Sequence, residues 1–129
     1  MDNKVVAHFR DGRVVKGATM NFSTTRDRFH LTTPDGKTAE VLLGALKAVY
    51  FVRSFAGNKA YHEKKGFGDG QVLGRKIRCE FADGEVVTGT TQTYDATRVG
   101  FFVVPADPNA NNARIFVLNA ATTRVAFES

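Results

Sequence analysis

From Lys4 to Arg10 the chain alternates, with Val5, Ala7 and Phe9 separated by Val6 and His8. Period two predicts a strand with one buried and one wetter face. Asp11-Gly12 follows at once, and Asp83-Gly84 ends a second run of the same kind at Lys76–Phe81. Asp-Gly between alternating apolar runs predicts a tight hairpin, with positive φ at both turn residues. The next strand is predicted over Arg13–Phe22 and contains Gly17; its counterpart over Glu85–Tyr94 contains Gly89. A glycine in mid-strand marks a bulge or a sharp bend where a sheet coils onto itself. Third strands are predicted near Arg28–Thr33 and Gly100–Val104, and fourth strands near Thr38–Leu43 and Ala113–Leu118. Fifth strands follow near Ala48–Arg53 and Thr123–Glu128, with a 3₁₀ turn expected at Leu43–Lys47.

The recurrence is systematic. Sliding the chain by 72 residues lays Lys4–Asp35 over Lys76–Asp107, and twelve of those thirty-two positions are identical. The matches include turn residues (Asp11, Gly12, Gly17) and core residues (Phe9, Val15, Phe29). About four extra residues then enter the second copy before Val49 and Phe51 align with Val125 and Phe127. The chain is therefore a duplicated unit of about 50 residues. The expected organisation is a first small barrel over residues 1–54, a connector over 55–74 and a second barrel over 75–129. Glycines at 57, 66, 68 and 70 mark the connector as a linker. Five short strands with one bent member predict a small closed or nearly closed barrel in each copy.

Composition narrows the class. The 129 residues are 43% hydrophobic and 24% charged, enough to bury a core. No run approaches the ~20 apolar residues of a membrane helix. Met1–Lys4 leads straight into a patterned strand without an export segment, so a cytoplasmic protein with no membrane partner is expected. One cysteine, Cys79, excludes an internal disulfide framework and a multi-cysteine metal site. It is expected to be a buried, inert thiol beside Ile77 and Phe81.

Charge is uneven. Residues 1–65 carry twelve Lys/Arg against six Asp/Glu, whereas residues 66–129 carry six against seven. A basic first half attracts phosphates. Arg26 and Arg28 precede the third strand, and Arg53, Phe55, Tyr61, Lys64 and Lys65 lie at or in the connector. Cations interleaved with aromatic rings suit single-stranded nucleic acid, so these seven residues form the candidate nucleic-acid surface. The same aromatics would equally serve to pin the connector to a barrel. The Pro105–Asn112 insertion, with Asn109, Asn111 and Asn112, is a second candidate surface or simply turn material.

Catalytic signals are sparse. Asp11 and Asp83 are explained by turn chemistry. His8 and His30 fall on strands one and three, where a two-histidine metal pair is conceivable, but no third ligand is positioned and no metal site is expected. Gly66–Gly70 lacks the Lys-Ser/Thr of a phosphate loop. A protein without enzymatic activity and without a cofactor is expected.

Gly89…Tyr94-Asp95…Phe101-Phe102-Val103 and Gly17…Phe22…Phe29…Leu31 resemble the first motif of the Sm-like (Hfq-like) small barrels. Gly44–Phe51 resembles the second motif, a short turn feeding an apolar last strand. The resemblance implies an all-β fold of two tandem Sm-like or SH3-like five-stranded barrels joined by a Gly-rich connector. RNA-binding members carry an Asn before strand three and an Arg-Gly in the second motif. Here those places read Arg26-Asp27 and Arg98-Val99, then Leu43-Gly44 and Leu118-Asn119. The RNA-binding residues are thus not retained. Phe101–Pro108 also resembles a stretch in a bacterial group of tandem small-barrel proteins, which brings no activity with it. The PilZ type, which binds cyclic dinucleotides, fits less well, because Arg75 and Arg78 are only three apart and no Asp-x-Ser-x-x-Gly follows.

The expected function is a non-catalytic binding module of the bacterial cytoplasm, taking nucleic acid (RNA) through its basic first half. The alternative is a protein-interaction or regulatory adaptor, with self-association into a homo-oligomer through open sheet edges.

Overall fold

The computed structural model describes residues 3–53, 74–107 and 111–128. The strands are β1 (Asn3–Phe9), β2 (Val14–Thr19), β3 (Arg28–Thr32), β4 (Thr38–Leu42) and β5 (Leu46–Val52). The second copy supplies β6 (Arg75–Phe81), β7 (Val86–Thr91), β8 (Gly100–Pro105), β9 (Asn112–Leu118) and β10 (Thr122–Glu128). Single 3₁₀ turns, Leu43–Ala45 and Asn119–Ala121, lead into β5 and β10. The fold is all-β, and the described residues contain no α-helix. None of their helices is long and apolar enough to cross a membrane. The connector expected over residues 55–74 lies outside the described residues apart from Gly74.

All ten strands join one antiparallel sheet in the order β10-β6-β7-β8-β9-β5-β1-β2-β3-β4. Each half repeats one sequence of neighbours: last strand, first, second, third, fourth. The halves meet where β5 pairs with β9, from Ala48↔Val117 to Phe51↔Arg114. Each copy therefore places its fifth strand beside its own first strand, and among the described residues the sheet is open, with β4 and β10 at its ends. The four additional residues enter before β9, so the first 3₁₀ turn at Leu43 corresponds to the second at Asn119. This shifts by one residue the sequence alignment that set Leu43 against Leu118.

The Asp-Gly hairpins form, but with a different turn. Only the glycine is left-handed, at φ 96° for Gly12 and 93° for Gly84. Phe9 N–H bonds Arg13 O at 2.9 Å and Gly12 N–H bonds Phe9 O at 3.1 Å. This is a three-residue loop, a turn followed by one αL residue, rather than a two-residue turn with both φ positive. The Asp11 carboxylate accepts from Arg13 N–H at 3.0 Å, and Asp83 accepts from Glu85 N–H at 3.0 Å.

Val5, Ala7, Phe29, Leu31 and Val41 are buried in the first half, and their counterparts Ile77, Cys79, Phe101, Val103 and Val117 are buried in the second; Val49 is buried too, whereas its counterpart Val125 is only partly so. The apolar cluster runs without interruption between halves, because Phe22 lies edge-on to Phe51 at 5.3 Å and to Phe116 at 5.3 Å. Edge-to-face contacts at such separations add attraction beyond the area they bury.

The mid-strand glycines act as the sequence implies. A methyl group at Gly17 would sit 2.8 Å from Thr32 O, and one at Gly89 would overlap Val104 O and lie 2.7 Å from a Val103 methyl carbon. The bent second strand thus rests directly on the backbone of the third. Gly89→Ala is expected to destabilise the fold by about 2–3 kcal/mol, the scale of core overpacking. Gly44→Ala, with nothing within 4 Å of the added carbon, should be close to neutral. Paired thermal melts of the two variants check this.

Candidate interaction surfaces

Of the seven residues of the candidate nucleic-acid surface, Phe55, Tyr61, Lys64 and Lys65 lie outside the described residues. Arg26 is exposed in the loop before β3, and Arg53 is exposed just after β5. Arg28 begins β3, where its guanidinium donates to Asp27 at 3.1 Å and to Glu40 at 3.1 Å. The hydrogen bond to Asp27 and that carboxylate's charge raise the Arg28 pKa further. Its charge is therefore engaged within the protein. Arg53 N–H bonds Asn111 O at 2.9 Å, tying the end of β5 to the start of β9. Asn109, in the same insertion, lies outside the described residues.

The loop before the third strand does approach the 3₁₀ turn, where the Sm-like resemblance would put a nucleotide. Leu43 N–H bonds Asp27 O at 2.8 Å, and Asn119 N–H bonds Val99 O at 3.0 Å. The Asn119 amide donates to Asp95 O at 3.0 Å and to Arg98 O at 2.9 Å. Both of its donor hydrogens are thus committed to the loop. Leu43, at the matching place in the first copy, is buried.

The histidines do not converge. β2 lies between β1 and β3, so His8 and His30 are not on neighbouring strands. Asn21 holds His30, its side-chain oxygen accepting from His30 N–H at 3.0 Å and its amide nitrogen meeting Nδ1 at 3.0 Å. His8 packs on Tyr50 with ring centroids 4.5 Å apart. Among the described residues no three His, Cys, Asp or Glu side chains are grouped to hold a metal ion. Cys79 is fully buried, and burial pushes its thiol up to about 12, far from a nucleophile's range.

The strongest polar constellation joins the two halves. Lys47, at the second position of β5, donates to Asp83 at 2.7 Å and also to Glu85, both in the β6–β7 turn. Tyr50 O–H donates to the same Glu85 oxygen at 2.8 Å. The Lys47 ammonium also sits over the Phe81 ring, 4.7 Å from its centroid. Burial opposes the Lys47 charge, but hydrogen bonds to Asp83 and Glu85 outweigh it and raise the pKa. The hydrogen bond from Lys47 and the Glu85 N–H hold the Asp83 carboxyl below its ordinary value. Burial, then the Lys47 ammonium, lowers the His8 imidazole beside them. Asp83 therefore does more than shape a turn. The sequence offered one signal of this, a lysine within an otherwise apolar fifth strand.

A second feature lies at the far end of the sheet. An open cavity of about 280 Å³ is lined by Arg78 and Glu80 of β6 and by Arg124 and Ala126 of β10. Arg78 lies 3.6 Å from Glu80. Lines of charge scattered over two strands 40 or more residues apart become one surface only once β6 and β10 pair, which the sequence-based surface missed.

Lys47→Met should lower stability by about 1–2 kcal/mol, the scale of a charge-assisted hydrogen bond to partly exposed carboxylates. Because Asp83 is depressed in the folded state, its contribution is present above the unfolded carboxylate pKa of ~3.9 and vanishes as pH falls through the folded value. The gap between the original chain and Lys47→Met should therefore close on acidification below about pH 4, as read from urea midpoints across pH.

No curated protein and no solved structure matches this sequence. A family model described as a family of unknown function, DUF6982, matches residues 1–129. The duplicated ten-stranded chain belongs to the DUF6982 family.

Proposed function

We propose that the chain is a non-catalytic interaction module, built as two Sm-like small barrels fused edge to edge, that binds protein through the strands at its open ends. The observation that carries this reading is the sheet itself: among the described residues β4 and β10 have one neighbouring strand each. Their outer backbone groups can bond another strand, a recurring way of recognising protein.

The nucleic-acid reading has less support. Arg28 is engaged by Asp27 and Glu40, and the Asn119 amide is spent on its own loop. Cys79 is buried, with its thiol pushed up to about 12, which supports the reading of an inert core thiol.

Fluorescence anisotropy with labelled mixed-sequence RNA and DNA oligomers tests this. The expected result is no binding that weakens as salt rises, and no change when Arg26, Arg28, Lys64 and Lys65 are replaced together by glutamine. Affinity that falls steeply with salt and is lost in that variant would replace the protein-interaction reading with the nucleic-acid one.

A further inference from the structure

β5 and β10 hold the same place in the two copies, but among the described residues only β5 has a strand on either side. Its outer neighbour β9 sets Phe116 opposite Val49 and Val117 opposite Ala48, and Ala48, Val49 and Phe51 are buried there. At the corresponding positions of β10, Val125 and Phe127 are only half-buried, although Cys79 and Ile77, across from them on β6, are fully covered. This face of β10 is apolar, with the Arg75 guanidinium over the Phe127 ring at 3.7 Å.

The opposite face is basic. Arg78 lies across from Ala126 and Arg124 across from Glu80, and these four line the open cavity of about 280 Å³. The short Ala126 side chain leaves a hollow between two guanidinium groups. Arg78 leans towards Glu80 at 3.6 Å, whereas Arg124 is exposed and makes no ion pair among the described residues.

We propose that β10 pairs with an extended segment of another protein in which apolar and acidic residues alternate, the apolar side chains lying beside Val125 and Phe127 and the carboxylates entering the hollow between Arg78 and Arg124. This rests on the edge-binding reading and gives the partner its chemistry. A strand added to the edge sends successive side chains to opposite faces, so one apolar and one basic face together select an alternating segment. A planar guanidinium with free donors matches a carboxylate in two-point geometry.

The divergence of the copies shows that the segment is not another copy of this chain. Arg78 and Arg124 stand where the first copy has Val6 and Ala48, both buried. If the pairing of β5 with β9 were repeated at β10, the chain's own β4 would set Val41 against Arg124 and Glu40 against Val125. That order is one residue out of phase, with the acid on the apolar face and the valine on the basic one. Nor does β4 offer an unspent charge at the other end, because Glu40 accepts from Arg28 at 3.1 Å.

Fluorescence anisotropy of short labelled peptides with the full chain tests this. A peptide alternating glutamate and valine should bind about tenfold more tightly than one alternating lysine and valine, the scale of one interfacial charge pair. Arg124→Glu should exchange that order, so that the lysine peptide becomes the tighter ligand; a misfolded variant would bind neither. Methylation of every backbone nitrogen in the glutamate peptide removes the strand donors, keeps the charges and should abolish binding. Binding by neither peptide overturns the inference. Equal affinity for both, or an order that Arg124→Glu leaves unchanged, overturns the acidic partner alone, provided that methylation still abolishes binding. Glutamate-peptide binding that survives methylation overturns the edge-binding reading itself.

Discussion

The pairing of β5 with β9 is the constraint on which the rest of the molecule depends. Backbone hydrogen bonds continue across it from one copy into the other, so two short sheets become one of ten strands. A five-stranded unit with an open fourth strand leaves a row of amide and carbonyl groups facing solvent. The duplication satisfies that row once, inside the chain. Phe22, Phe51, Phe102 and Phe116 then close over the seam at centroid separations of 5.1–6.2 Å. Arg114 caps the group, its guanidinium 4.3 Å from the Phe51 ring centroid and 4.7 Å from that of Phe102.

The polar side of the seam is as specific as the apolar side. Lys47 is only 8% exposed and reaches two carboxylates from the other copy. A buried ammonium without partners would be severely destabilising, so its presence requires the β6–β7 turn to be seated. Strand pairing, aromatic packing and the ion cluster therefore all define one relative placement of the two halves.

Much of the fold was legible in the residues because its determinants are local. Alternation in Val5–Phe9 marked a strand, Asp11-Gly12 marked a hairpin, and Gly17 and Gly89 marked bends that prove to be sites of backbone contact. The turn type was not legible, since Asp-Gly serves a two-residue or a three-residue loop and the flanking register decides between them. The joining of copies was not legible either, because pairing of β5 with β9 involves residues 60 or more positions apart. The sites suffered most. Arg28 looked like a free cation in sequence, whereas Glu40, twelve residues away, lies opposite His30 on the neighbouring strand and comes within reach of it. Lys47 stood out in sequence only as a lysine in an apolar strand, and Asp83 only as a turn residue; they became a cluster with Glu85 through the seam.

The two copies have diverged, and the ends of the sheet with them: one terminates in Thr38-Ala39-Glu40-Val41-Leu42 and the other in the strand that begins Thr122-Thr123-Arg124. The molecule consequently has a polarity, like an arrow with a distinct tip and tail. Two-fold symmetry, the commonest arrangement of identical chains, would have to join tip to tip or tail to tail and would leave the unlike surfaces unused. Any assembly that used both ends would run in one direction, and would count its five-stranded units in even numbers.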